Sequence, residues 1–112
     1  MRITKENIHE FIYGTTTMNC YNKGITHIEY IPDNIIFLYC YNNKLTKLPK
    51  LPESLEYLHC YNNQLTELPK LPDSLTHLDC GFNNLPYKIT IEKLKEHNKL
   101  LKRKNILSKI CV

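Results

Sequence analysis

A chain of 112 residues with 42% hydrophobic and 23% charged residues has the composition of one globular domain, neither disordered nor fibrous. That length supports a modest core and excludes a large enzymatic cleft. The net charge of +4 is uneven: residues 1–19 balance, residues 20–88 carry six lysines against seven acids, and residues 89–112 carry six lysines and Arg103 against Glu92 and Glu96, so the basic excess is C-terminal.

The first ten residues include Arg2, Lys5, Glu6 and Glu10, and no continuous apolar segment follows them, which does not match a secretory leader. The longest apolar run, about residues 35–41, is far short of the roughly 20 residues a membrane-spanning helix needs. There is also no Asn-x-Ser/Thr acceptor for glycosylation. These features predict an intracellular, cytoplasmic setting with no transmembrane segment. Ile8, Phe11 and Ile12 fall at i, i+3 and i+4 and Gly14 follows, which predicts a short helix ending near Tyr13 as an N-terminal cap over residues 1–14.

Residues 15–88 are organised by an internal repeat. Cys20, Cys40, Cys60 and Cys80 are spaced by twenty residues, and their neighbours recur with them. The unit from Cys40 reads CYNNKLTKLPKLPESLEYLH and the unit from Cys60 reads CYNNQLTELPKLPDSLTHLD. The unit from Cys20 is a diverged copy with isoleucines in several leucine positions, and the unit from Cys80 starts in register and then breaks. In one full unit the pattern is carried by Leu55, Leu58, Cys60, Asn63, Leu65, Leu68, Leu71 and Pro72.

A unit this short cannot bury its own leucines. Stacked in register, each Leu58-His59-Cys60-type strand lies about 4.8 Å from its equivalent, and the leucines form one continuous column. Pro49, Pro52, Pro69 and Pro72 hold the return segments extended or turned and keep them out of helix. The pattern over residues 15–86 resembles the leucine-rich-repeat family. The twenty-residue length with paired prolines is similar to the short class found in bacterial secreted effectors, and the Cys-Tyr-Asn-Asn variant is similar to repeat proteins of large DNA viruses, whose setting would be the host cytoplasm. The resemblance implies a leucine-rich-repeat solenoid, a short curved α/β repeat with a parallel concave sheet, extended proline-containing convex segments and helical caps. It does not bring the ubiquitin-ligase activity of some effectors, since only about twenty-five residues follow the last repeat.

After the repeats, Thr90 leads into residues 91–110, where Ile91, Leu94, Leu101 and Leu107 could form the apolar side of a helix. Residues 89–112 are therefore read as a basic helical cap or tail.

The equally spaced cysteines invite a metal-site reading that their spacing opposes. A zinc site needs four ligands converging at about 2.3 Å for sulfur, whereas a stacked column holds successive thiols nearly 5 Å apart in a line. They are read as buried free thiols, with Cys111 unassigned. Asn43, Asn63 and Asn83 form a second inward ladder suited to pairing main-chain groups between units.

Residues alternating with the buried positions should face outward, and they are unusually aromatic. They form three columns: Tyr21, Tyr41 and Tyr61; Tyr39, His59 and Asp79; and Phe37, Tyr57 and His77. Tyrosine gives large amphipathic contact area with few rotatable bonds, so these residues are the candidate site for an unidentified protein partner. The competing reading is a ladder that stabilises the sheet by cross-strand stacking alone. Two histidines and a carboxylate, His59, His77 and Asp79, could also ligate a metal, but no catalytic motif accompanies them, and no metal, cofactor or enzymatic role is assigned. The alternative function is nucleic-acid or acidic-surface binding through Lys99, Lys102, Arg103 and Lys104 of the basic tail. The expected state is a monomer or weak homodimer.

Overall fold

The computed structural model describes residues 1–110, with side chains through residue 104. Strand β1 (Arg2–Ile3) leads into a 3-10 turn at Ile8–Phe11, followed by β2 (Ile12–Tyr13) and β3 (Thr17–Asn19). The remaining strands are β4 (His27–Ile28), β5 (Phe37–Tyr39), β6 (Tyr57–His59) and β7 (His77–Asp79). A second 3-10 turn, Ile91–Lys93, precedes the helix α1 (Leu94–Ile110).

The main sheet has the order β2-β3-β5-β6-β7, with β2 antiparallel to β3 and every later pair parallel. Its register is the sequence period: Leu38 lies beside Leu58 and Leu58 beside Leu78. Strands of three residues suffice because β3, β5 and β6 each pair on both sides, leaving β7 at the edge. A smaller parallel pair, β1 with β4, places Ile3 beside Ile28.

Alternation along each strand sends one residue inward and two outward. Leu38, Leu58, Cys40 and Cys60 are fully buried, as are Leu45, Leu55, Leu65 and Leu71 from the turns and return segments. The return segments carry no helix. A short turn closes each one, with the N–H of Leu55 donating to the Pro52 carbonyl and that of Leu75 to the Pro72 carbonyl, both at 3.1 Å. Ser54 and Ser74 fix the same corner from the following unit. The Ser54 hydroxyl lies 2.7 Å from the carbonyls of both Asp33 and Ile35, and Ser74 repeats the arrangement on Glu53 and Leu55.

The asparagine ladder works as its position predicts. The Asn63 amide nitrogen donates to the carbonyls of Cys40 and Cys60, each at 3.1 Å, while its oxygen accepts the N–H of Leu45 at 3.0 Å. Asn43 and Asn83 repeat the pattern one unit away on either side. Each amide thus pairs main-chain groups of two successive units that would otherwise be buried without partners. The residue before it has a separate role: Asn22, Asn42 and Asn62 lie at φ 59°, 56° and 57°, the left-handed turn that asparagine tolerates.

Two expectations about the ends need correction. The helix expected to end near Tyr13 is a four-residue 3-10 turn, and the chain then enters β2, which pairs Tyr13 with Thr17 across a turn that Gly14 opens at φ 67°. One turn is too short to sustain an α-helix, and the hairpin pairs the backbone that a helix would have paired. Ile8 and Phe11 are buried as their spacing predicts. At the other end α1 forms, but from Leu94 rather than from Thr90, which is extended and makes no side-chain cap. Leu94 is buried and Ile91 and Leu101 are half-buried; the side chains of Leu107 and Lys109, and all of Cys111, lie outside the described residues.

Candidate interaction surface

The face of the sheet opposite the cysteines is built from three columns of side chains, two of them stacked. A parallel in-register sheet sets equivalent residues one strand spacing apart, close to the thickness of two stacked rings, so identical aromatic residues stack without leaving their rotamers. Tyr21 and Tyr41 have ring centroids 4.8 Å apart, and Tyr41 and Tyr61 have theirs 4.6 Å apart, both pairs tilted by only 7°. Partial burial, then the neighbouring phenols of Tyr61 and Tyr21, push the Tyr41 hydroxyl above its ordinary range.

In the second column Tyr57 stacks on Phe37 at 4.8 Å and on His77 at 4.2 Å. In the third, Tyr39 meets His59 edge-on at 5.2 Å, and His59 lies in register with Asp79. All nine outward residues singled out from the sequence therefore occupy one face. Among the described residues, no group of three or more His, Cys, Asp or Glu side chains lies close enough to hold a metal ion.

The cysteines on the opposite side are free. Burial pushes the Cys20 thiol up to about 12 and those of Cys40, Cys60 and Cys80 upward as well, so the thiolate needed for nucleophilic or ligand chemistry is disfavoured.

The basic tail residues divide between two surfaces. Lys99, Lys102 and Lys104 line a groove between α1 and the return segments, and Lys47, Lys70 and Lys95 line it with them, against Glu67 and Glu96. Arg103 lines an adjoining, smaller and more apolar groove beside Leu85, Tyr87 and Leu100, and Lys104 lines both. Two polar residues that sequence reasoning passed over hold α1 in place. Asn98 accepts the N–H of Leu71 and donates to its carbonyl, both at 2.8 Å. His97, 2% exposed, bonds the Pro69 carbonyl at 3.0 Å through Nε2 and the Tyr87 hydroxyl at 2.8 Å through Nδ1. They follow Leu94 at i+3 and i+4, a spacing that carries the signal only when polar residues are admitted to it.

Residues 33–73 match the family model of leucine rich repeats (2 copies). No curated protein matches the chain. Leucine-rich repeats generally mediate protein–protein interaction and are typically non-catalytic. Among the described residues no helix is long and apolar enough to cross a membrane. The matched segment covers most of the two most regular units, which supports leucine-rich repeats there, and the same twenty-residue register continues through the sheet on either side of it.

Proposed function

We propose that this chain is a non-catalytic interaction module that binds a protein partner through the aromatic face of its sheet. The units stack as a short solenoid, a reading supported by overall extents of 42 × 26 × 26 Å, with this face concave, residues 1–14 and 89–112 as caps and residues 15–88 as repeats. The observation that carries the reading is the continuity of the face: two stacked columns and the column of Tyr39, His59 and Asp79 present Tyr21, Phe37, Tyr39, Tyr41, Tyr57, His59, Tyr61, His77 and Asp79 together. The rings of Phe37, Tyr39, Tyr41, Tyr57 and Tyr61 are half-buried, and the contiguous aromatic surface they still present is of the kind a partner covers. Free buried thiols suit a reducing, intracellular setting.

Affinity capture with the native chain and with a Tyr41→Ser, Tyr57→Ser, Tyr61→Ser variant tests the site. The variant should lose the captured partner while keeping the circular dichroism of the native fold. Equal capture by a folded variant overturns the assignment.

The lysine-lined groove supports a second reading, binding of a nucleic acid or another polyanion. Neutralising Lys99, Lys102 and Lys104 to glutamine should then lower the salt concentration at which the chain leaves heparin, whereas Arg103→Gln should change it little. No retention of the native chain on heparin, DNA or RNA rejects this reading.

A further inference from the structure

We infer that the tyrosine column is one ring short, and that the open position over Gly81 receives an aromatic side chain of the protein partner. The inference rests on the proposed use of the aromatic face and names the chemistry of one contact on it.

Gly81 stands where Tyr21, Tyr41 and Tyr61 stand in the preceding units. Its backbone continues the register: the N–H of Asn62 donates to the Gly81 carbonyl at 2.9 Å, as that of Asn42 donates to the Tyr61 carbonyl at 3.1 Å. Nothing in the backbone demands glycine there. Its φ lies outside the left-handed region, and a Cβ would meet only the Asp79 Oδ1 at 3.5 Å, an ordinary contact. The missing side chain leaves room for a ring beside Tyr61, which among the described residues stacks only on Tyr41.

Two neighbouring features mark this edge as unfinished. Leu78 is half-buried where Leu38 and Leu58 are fully buried, and with Asp79 and Gly81 it lines a cleft reaching to Ile89 and Ile91. Phe82, the next residue along, is 86% exposed and is held at φ 52°, in the place asparagine takes elsewhere. An apolar ring projected from a strained backbone beside an empty stacking position gives the edge a second aromatic contact.

Charge selects the class of occupant. The Asp79 carboxylate borders the open position and accepts the Gly81 N–H at 3.2 Å through Oδ1, so it disfavours a phosphate-bearing ligand and favours a ring with its own N–H or O–H donor. Tryptophan and tyrosine side chains meet both requirements. The lysines that would attract a nucleic acid line the separate groove along α1.

Titration of the isotope-labelled full chain with N-acetyl-tryptophanamide, followed by NMR, tests the position directly. Ring-current shifts should appear at the Gly81 and Phe82 amides and at the Tyr61 ring, and should exceed those from N-acetyl-leucinamide. Gly81→Tyr, which fills the position from within, should abolish them, while Gly81→Ala should keep them. Shifts no larger than those from the leucine probe, shifts that survive in a folded Gly81→Tyr variant, or tighter binding of adenosine monophosphate than of the tryptophan probe would each overturn the inference. For a partner captured on the native chain, Gly81→Tyr should weaken binding about three- to tenfold, the range of one aromatic stack. Loss of the partner with the tyrosine-to-serine variant but not with Gly81→Tyr defeats the inference alone. Retention by the serine variant defeats the interaction face itself.

Discussion

Among the described residues, Phe82 is the one with a positive φ that is neither glycine nor asparagine. A left-handed conformation costs an ordinary L-residue roughly 1–2 kcal/mol, and only glycine, or asparagine through its short polar side chain, adopts it readily. Phe82→Asn, which restores the residue of the other units, should therefore raise unfolding free energy by about 1 kcal/mol, measured as a higher urea midpoint at unchanged slope. An unchanged or lower midpoint means the ring has packing that its exposure conceals. The Asn-Asn pairs at residues 42–43 and 62–63 illustrate what a sequence reveals at this scale. The second asparagine was legible as a ladder because a recurring polar residue among buried ones must be pairing the backbone. The first recurs as regularly, at Asn22, Asn42 and Asn62, but recurrence alone does not report a left-handed φ. His97 and Asn98 were missed for a related reason: their burial depends on the carbonyls of Pro69 and Leu71, 28 and 27 residues away, which no local pattern of apolar residues reports.

At the scale of elements, the cysteine column behaves as one apolar stripe with a titratable edge. Each thiol has its folded pKa raised above the ordinary value of 9.0, that of Cys20 to about 12. Below pH 9 both folded and unfolded chains keep the thiol protonated, and the stabilisation is fully present. As the pH rises above 9 the unfolded chain releases these protons while the folded chain retains them, so stability falls, by about 1.4 kcal/mol per pH unit for each well-buried thiol. Urea midpoints between pH 8 and 10.5 should decline accordingly, and Cys40→Ala should make the decline shallower. A decline equally steep in that variant removes Cys40 as a contributor. The strands themselves were legible because their inward and outward residues alternate and repeat. The N-terminal element was misread because Ile8, Phe11 and Ile12 fit a helical face, yet Ile12 belongs to β2, where pairing with Met18 decides its conformation.

The repeats are held by contacts between neighbouring units, since the repeat strands, the ladder asparagines Asn43, Asn63 and Asn83, and Ser54 and Ser74 bond to the unit beside them. Excising residues 41–60 joins Cys40 to Tyr61 in register and leaves every remaining interface of a kind already present. The shortened chain should fold cooperatively with a lower thermal midpoint, followed by circular dichroism. Loss of the cooperative transition would show that stability depends on a longer-range arrangement. Which end of such a stack stops its growth is a separate matter, decided by Asn98. Its amide takes both the N–H and the carbonyl of Leu71, so this point of the outer margin is saturated by a side chain of α1 and closed to strand addition. Among the described residues, no side chain of α1 hydrogen-bonds the sheet margin at β7. Asn98 thus makes α1 an end group, in the polymer chemist's sense, at this one point of the return segments.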